Sequence, residues 1–229
     1  MNPTDFNDQN SAQQFCAPQN GAAAPQNDDS LPGWDAITAR CLEFYPGQND
    51  PMHYGTMIKW DMGGPDPLDG ISIYDGGDYW HFVTYGLSEL GQKRSSNPDV
   101  SGYGLEFTFR LKKSCCVDKD KEIANVCVIL QALARMTFVQ GEVYKPFEYI
   151  YTQQTQGMDD AHVSLITGFI TAPDSKFQSI DTSNGKVQFV ELIGATDAEL
   201  LAIMHKQITT RDLYARLGEV TDYTRQSVM

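Results

Sequence analysis

The sequence predicts a single α+β domain, a mixed and mainly antiparallel sheet flanked by helices. Three observations carry that expectation. Strand-like segments outnumber helical ones, and no βαβ alternation runs regularly enough for a Rossmann sheet. The 229 residues, 41% hydrophobic and 11% aromatic, suffice for one sizeable core. Residues 1–30 are rich in Asn, Gln, Ala, Ser and Asp and carry no Lys or Arg, so they read as a disordered, acidic and polar tail. The domain is expected over 31–218, with a C-terminal tail over 219–229.

The elements follow from local pattern. Asp35 is placed to cap a helix in which Ile37, Cys41, Leu42 and Tyr45 recur at helical spacing, and Pro46-Gly47 stops it. Extended segments follow over 54–60, 71–74 and 79–87, separated by Gly63-Gly64-Pro65-Asp66-Pro67 and Gly76-Gly77-Asp78. From 104 to 112, Leu105, Phe107, Phe109 and Leu111 alternate with Glu106, Thr108, Arg110 and Lys112, which predicts a strand with one core face and one polar face. A long, central helix is expected over 122–139, apolar on most sides, with Gly141 at its stop. Strands near 147–152, 163–170 and 186–193 come next. Thr196-Asp197-Ala198-Glu199 is a capping box opening a helix through Leu200, Leu201, Ile203 and Met204, and a second short helix is expected over 211–217.

Composition narrows the function. Acidic residues outnumber basic ones by 30 to 17, a formal charge of −13. Four of the acids, Asp5, Asp8, Asp28 and Asp29, lie in the tail, so the domain is acidic on its own account. Nucleic acid is therefore not an expected partner, because phosphate binding needs a cationic surface. An acidic surface suits a basic protein partner, whose approach it accelerates. No apolar run approaches the roughly 18 residues of a membrane span, and no basic and apolar leader opens the chain. A soluble, cytoplasmic protein without a membrane partner is expected. Five cysteines without regular spacing read as reduced thiols, with the vicinal pair Cys115 and Cys116 the one set placed for redox or soft-metal chemistry.

No enzyme motif emerges. Ser101-Gly102-Tyr103-Gly104 contains a GxG, but it leads into a strand, whereas a dinucleotide loop opens a helix. Asp66, Asp69, Asp75 and Asp78 cluster at turns without the spacing of an EF-hand, and turns favour Asp for its bonds to nearby N–H groups. His53, His81, His162 and His205 are scattered. A nucleophile elbow, a P-loop, HExxH and the kinase set are all missing. A metal-dependent enzyme using the Asp-rich turn and His81 is the rival of another class. The expectation from the residues is a noncatalytic binding domain without cofactor or metal.

A set of words in order goes further: Pro32-Gly33-Trp34-Asp35-Ala36-Ile37, Gly63-Gly64-Pro65-Asp66-Pro67-Leu68-Asp69, Trp80-His81-Phe82, Tyr85-Gly86-Leu87-Ser88-Glu89-Leu90 and Ser101 through Leu111. Leu130-Gln131-Ala132-Leu133-Ala134-Arg135 and Val190-Glu191-Leu192-Ile193-Gly194 extend the set. Together they resemble the Suppressor of fused domain, over about 31–217. The resemblance implies the fold of that family's N-terminal domain and a protein-binding role. Animal members clamp an extended Gli peptide between this domain and a further C-terminal one; with that second domain outside the sequence, the Gli-type clamp is not expected. Bacterial members are commonly immunity proteins that neutralise a polymorphic toxin, which points to a basic toxin domain as partner, with a regulatory adaptor as the alternative. The resemblance also points to the strand 79–90 as an exposed edge for strand addition. On its alternation His81, Val83, Tyr85 and Leu87 share one face, with Glu89 at its end, and these five are the candidate partner-binding residues.

Overall fold

Pro32 opens the first helix, α1 (Pro32–Phe44), because its fixed φ and missing N–H cost nothing at a first helical position. Asp35 thus lies in the first turn rather than at the cap, where its charge favours the positive end of the helix dipole. The computed structural model describes residues 30–229, so the expected tail over 1–30 lies, Ser30 apart, outside the described residues.

The strands are β1 (Met52–Gly55), β2 (Gly70–Asp75), β3 (Tyr79–Tyr85), β4 (Val100–Lys112), β5 (Tyr149–Ile150), β6 (Ile166–Pro173), β7 (Ile180–Thr182) and β8 (Gly185–Thr196). They form one sheet in the order β1-β2-β3-β4-β8-β6-β5, with β7 paired to β8 off that path. Every pairing is antiparallel except β4 with β8. The connection between those two carries the long helix α2 (Lys119–Gln140), which Asp118 caps through the Lys121 N–H and Gly141 closes. Helices α3 (Asp197–Met204) and α4 (Thr210–Leu217) complete the domain, and the Thr196–Glu199 capping box is formed in both directions. Strand β1 is shorter than the expected 54–60: it ends at Gly55, and Trp60–Met62 is a 3-10 turn. The three-residue β7 carries too short a pattern to read from sequence.

Both faces of the sheet are covered. On one, α2 contributes Ile123, Val126, Leu130 and Leu133 to a core with Ile71, Phe82, Phe107, Phe109, Val190 and Leu192. On the other, α1 brings Ile37, Cys41 and Tyr45 onto Tyr74, Val83, Tyr85 and Phe189, while α3 and α4 bring Leu200 and Leu213 over Ile170 and Ile193. By length and composition α2 passes as a membrane span, contrary to the sequence expectation. Its apolar length serves the sheet instead. The double cover also corrects the reading of β4, whose polar face is no solvent face: Glu106, Thr108 and Arg110 are as buried as Phe107 and Phe109.

The segment after α4 is not a loose tail. Thr221 bridges to Leu111 in parallel, Tyr223 is buried, Lys112 Nζ meets Asp222 Oδ2 at 2.7 Å, and Arg225 pairs with Glu199 at 2.7 Å. The domain therefore extends past residue 218 as a C-terminal strap.

Candidate protein-binding surface

Strand β3 is not an edge. It lies between β2 and β4, so its backbone is hydrogen-bonded on both sides. His81, Val83, Tyr85 and Leu87 are at most 1% exposed. The first three face α1: Tyr85 packs on Trp34 with ring centroids 4.3 Å apart, and His81 Nδ1 is 2.7 Å from the Tyr45 hydroxyl, placed to accept its hydrogen bond. Leu87 turns into the opposite core, because Gly86, at φ 131°, redirects the chain between them. That left-handed backbone suits glycine, and a Cβ there would press on the Asp69 N–H. Glu89, partly buried, accepts from the N–H groups of Arg94, Ser95 and Gly102 and from the Ser95 hydroxyl. Those bonds outweigh the burial that would raise its carboxyl and hold it down to about 2. In this structure the expected site residues thus form core and a loop clamp.

Around His81 lies a charged cluster that fills the seam between the α1 core and the α3/α4 core. Arg110, 1% exposed, pairs with Asp174 Oδ1 at 2.7 Å, Glu191 Oε1 at 2.8 Å and Glu219 Oε2 at 2.8 Å. Asp174 also accepts from the Thr108 hydroxyl and from the Lys176 and Phe177 N–H groups, and His81 Nε2 lies 3.3 Å from its Oδ2. Burial opposes ionisation of Asp174, but the His81 contact, the Arg110 charge and the Phe177 N–H overcome it and hold the carboxyl below its ordinary value. Burial drives His81 down to about 4, so the ring is neutral near pH 7. Glu191 is pushed well above its ordinary value by burial, against the Arg110 charge. His81, Arg110, Asp174 and Glu191 are closed to solvent and only Glu219 reaches it, which suits a structural lock.

The exposed apolar surface lies elsewhere, at the β1 end of the sheet. All four residues of β1 are exposed, and β1 pairs with β2 alone among the described strands. Its outer backbone edge is therefore open for strand addition. Beside it the chain bends away after Gly55, leaving Met57 100% and Ile58 54% exposed. Between this bend and α2 runs a groove of about 480 Å³ lined by Tyr54, Met57, Ile58, Ile71, Cys127 and Val128. Its polar end is the Arg135–Asp66 ion pair at 2.7 Å. A larger depression of about 920 Å³ lies at the opposite edge, near the two-residue β5. There the Arg211 guanidinium already stacks 3.6 Å from the Phe147 ring centroid, and Glu142, Glu148 and Lys206 make the rim charged. The β1 groove offers the longer edge and the more apolar wall. Sequence reading assigned Met57 and Ile58 to a strand. The available signal was the polar Thr56 in an apolar register and the adjacent apolar pair Met57-Ile58 that follows it.

Comparison with known proteins gives a family to this geometry. The model of the Suppressor of fused protein (SUFU) family matches residues 64–226. The chain belongs to the Suppressor of fused family. Suppressor of fused homologues of Homo sapiens and Mus musculus are each 30% identical over 181 residues, 73% of this chain and 36% of theirs, so the chain spans about a third of the length of these curated relatives. Among solved structures, a chain of the Sufu–Fu complex superposes with a TM-score of 0.75 and 28% identity, over 86% of this chain and 92% of its own. Drosophila Suppressor of Fused gives 0.73 and 25%, over 90% of this chain and 54% of its own. A SUFU homologue from Neisseria gonorrhoeae, 13% identical, shares the fold at 0.56 over 86% of this chain and 97% of its own.

The words that carry the Suppressor of fused resemblance prove to be partners of one another. Gln131 of α2 accepts from the Leu68 N–H at 3.1 Å and donates to the Leu68 carbonyl at 3.2 Å, and Arg135 donates to the Pro65 carbonyl and to Asp66. The Gly63–Asp69 turn is thereby bolted to the helix that floors the groove. Glu106 accepts from the Thr84 and Ser88 hydroxyls, both at 2.6 Å, and from the Gly86 and Ser88 N–H groups at 3.0 and 2.9 Å. Gly33 donates to the Leu90 carbonyl at 2.8 Å, a closeness only glycine permits, since a Cβ would strike the Glu89 carbonyl oxygen. The turn aspartates are engaged too: Asp66 with Arg135, Asp69 with Lys59, Asp75 with Lys113. Among the described residues no three His, Cys, Asp or Glu side chains converge on a metal position.

Proposed function

We propose that this Suppressor of fused domain is a noncatalytic protein-binding module that takes up an extended partner segment as a strand added to β1. The observation that carries this reading is the open β1 edge, its four residues exposed, beside an apolar groove, in a chain of the same family, and nearly the same extent, as the solved Sufu chain found with Fu. Backbone hydrogen bonds along β1 supply affinity, and the partner's alternate apolar side chains enter the groove for specificity. The excess of acid over base, 30 residues to 17, favours a basic partner.

The partner we assign is a basic toxin domain of a polymorphic system, neutralised by stoichiometric occlusion. The chain then acts as an immunity protein in the cytoplasm, in keeping with free thiols at Cys41, Cys115, Cys116 and Cys127. The Fu complex of the related chain supports a second reading, a regulatory adaptor for an endogenous protein. Co-expression with basic toxin modules of polymorphic systems distinguishes them. Rescue of growth with one-to-one co-purification is expected; survival of neither cells nor complex ends the toxin assignment and leaves the adaptor.

A further inference from the structure

Cys115 ends the 3-10 turn Lys113–Cys115 that follows β4, and Cys116 caps it. Neighbouring side chains in a strand point to opposite faces, but this turn puts both sulfurs on one side, 3.8 Å apart. Both thiols reach the same acceptor, the Lys112 carbonyl, at 2.9 Å from Cys115 and 3.6 Å from Cys116. The Tyr223 backbone lies beside the Cys115 thiol, and the Lys112 N–H donates to the Thr221 carbonyl at 2.9 Å. The pair therefore lies on the seam between β4 and the C-terminal strap. Both side chains are partly exposed, whereas Cys41 and Cys127 are buried.

The two thiols are chemically unequal. The Cys116 hydrogen bond, aided by the Tyr223 backbone, lowers the Cys115 thiol below its ordinary value, and the same contact raises Cys116. Cys115 is thus the thiolate former of the pair.

We propose that Cys115 and Cys116 are a vicinal dithiol that closes reversibly to a disulfide by exchange with a low-molecular-weight disulfide such as oxidised glutathione. The Cys115 thiolate attacks one sulfur of the reagent, and the S–S bond breaks, forming a mixed disulfide and expelling one thiolate. Cys116 gives its proton to that thiolate, and its sulfur attacks Cys115, expelling the second. The protein loses two electrons and two protons, and the reagent is reduced to two thiols. Adjacent Cα atoms lie closer than the usual span of a disulfide, so the ring is strained and easily reduced, as a reversible switch requires. Closure takes both donors from the Lys112 carbonyl and moves the Cys115 sulfur from the Tyr223 backbone. The strap is the element that loosens.

The test uses the full chain equilibrated with glutathione at graded ratios of oxidised to reduced form. Trypsin cleavage after Lys113 and Lys119 releases both cysteines in one peptide, 114–119, for mass spectrometry without reduction. The expected product is that peptide lighter by two hydrogens, with Cys116→Ser instead giving a stable glutathione adduct on Cys115. The oxidised protein should also exchange the Thr221 and Tyr223 amide hydrogens at least tenfold faster. A wild-type peptide that stays reduced, carries only glutathione, or links to another cysteine overturns the proposal. Ring closure with unchanged exchange overturns the coupling to the strap.

Discussion

Replacing Arg110 with Met removes the cation that holds Asp174, Glu191 and Glu219 together while keeping much of the side-chain volume. Asp174 and Glu191 have fully buried carboxyl groups, and Glu219 is 30% exposed. Removing one partner of a buried ion pair leaves an uncompensated charge and costs about 3–5 kcal/mol. Against a total stability of roughly 5–15 kcal/mol this is a large fraction, and it corresponds to about 6–20 °C in melting temperature for a domain of this size. Urea denaturation followed by tryptophan fluorescence measures it. The sign with pH is also set. In the wild type the Asp174 carboxyl is held below its ordinary value of 3.8, so its contribution is present above that value and lost on acidification below it. Without Arg110 the buried Asp174 carboxyl loses a counter-charge that holds it down and Glu191, already above its ordinary value, is raised further, and their destabilisation is relieved as they protonate. The gap between variant and wild type should therefore be wider at pH 8 than at pH 5. A loss below about 1 kcal/mol, the median of surface pairs, or a gap that ignores pH, would refute the reasoning.

Glu106→Gln keeps the shape of the side chain but aims an amide N–H at groups that are themselves donors, and about 1–3 kcal/mol of stability should be lost near neutral pH. Burial pushes the Glu106 carboxyl up from 4.5 to about 7 against those hydrogen bonds, so wild-type stability should fall as pH rises through that interval, a slope the Gln variant lacks in parallel denaturation series. Gly33→Ala should cost about 1–3 kcal/mol in the same assay, because the added methyl meets the Glu89 carbonyl oxygen and α1 must shift. An unchanged midpoint would show that α1 slides freely over the 89–90 loop.

What the sequence disclosed and what it concealed have one physical cause. Alternation reports polarity, so Leu105, Phe107, Phe109 and Leu111 were legible as one core face of β4, and the capping box at Thr196 fixed the start of α3 from four residues. Burial is another matter. Arg110 reads as a solvent residue because its partners Asp174, Glu191 and Glu219 stand 64, 81 and 109 positions away. The same blindness made β3 resemble a half-exposed edge, when β2 and β4 cover its backbone and the α1 and α2 cores cover its two faces. Residues 219–229 read as a tail for want of apolar pattern, since Thr221, Asp222 and Arg225 attach through polar bonds. The groove was hidden because it joins β1 to α2 across some 70 residues of chain, as the bond from Gln131 to Thr56 at a separation of 75 illustrates.

The central claim is that the β1 groove binds the partner. Ile58 and Val128 are 54% and 62% exposed, so Ile58→Asp with Val128→Asp should leave the melting curve within about 1 kcal/mol of wild type. Two lost apolar contacts of about 1.5–3 kcal/mol each amount to a roughly 10²- to 10⁴-fold weaker complex. Calorimetric titration of the co-purified partner into wild type and double variant gives the answer directly. The account predicts that weakening with the fold intact; an unchanged Kd in a folded double variant contradicts it.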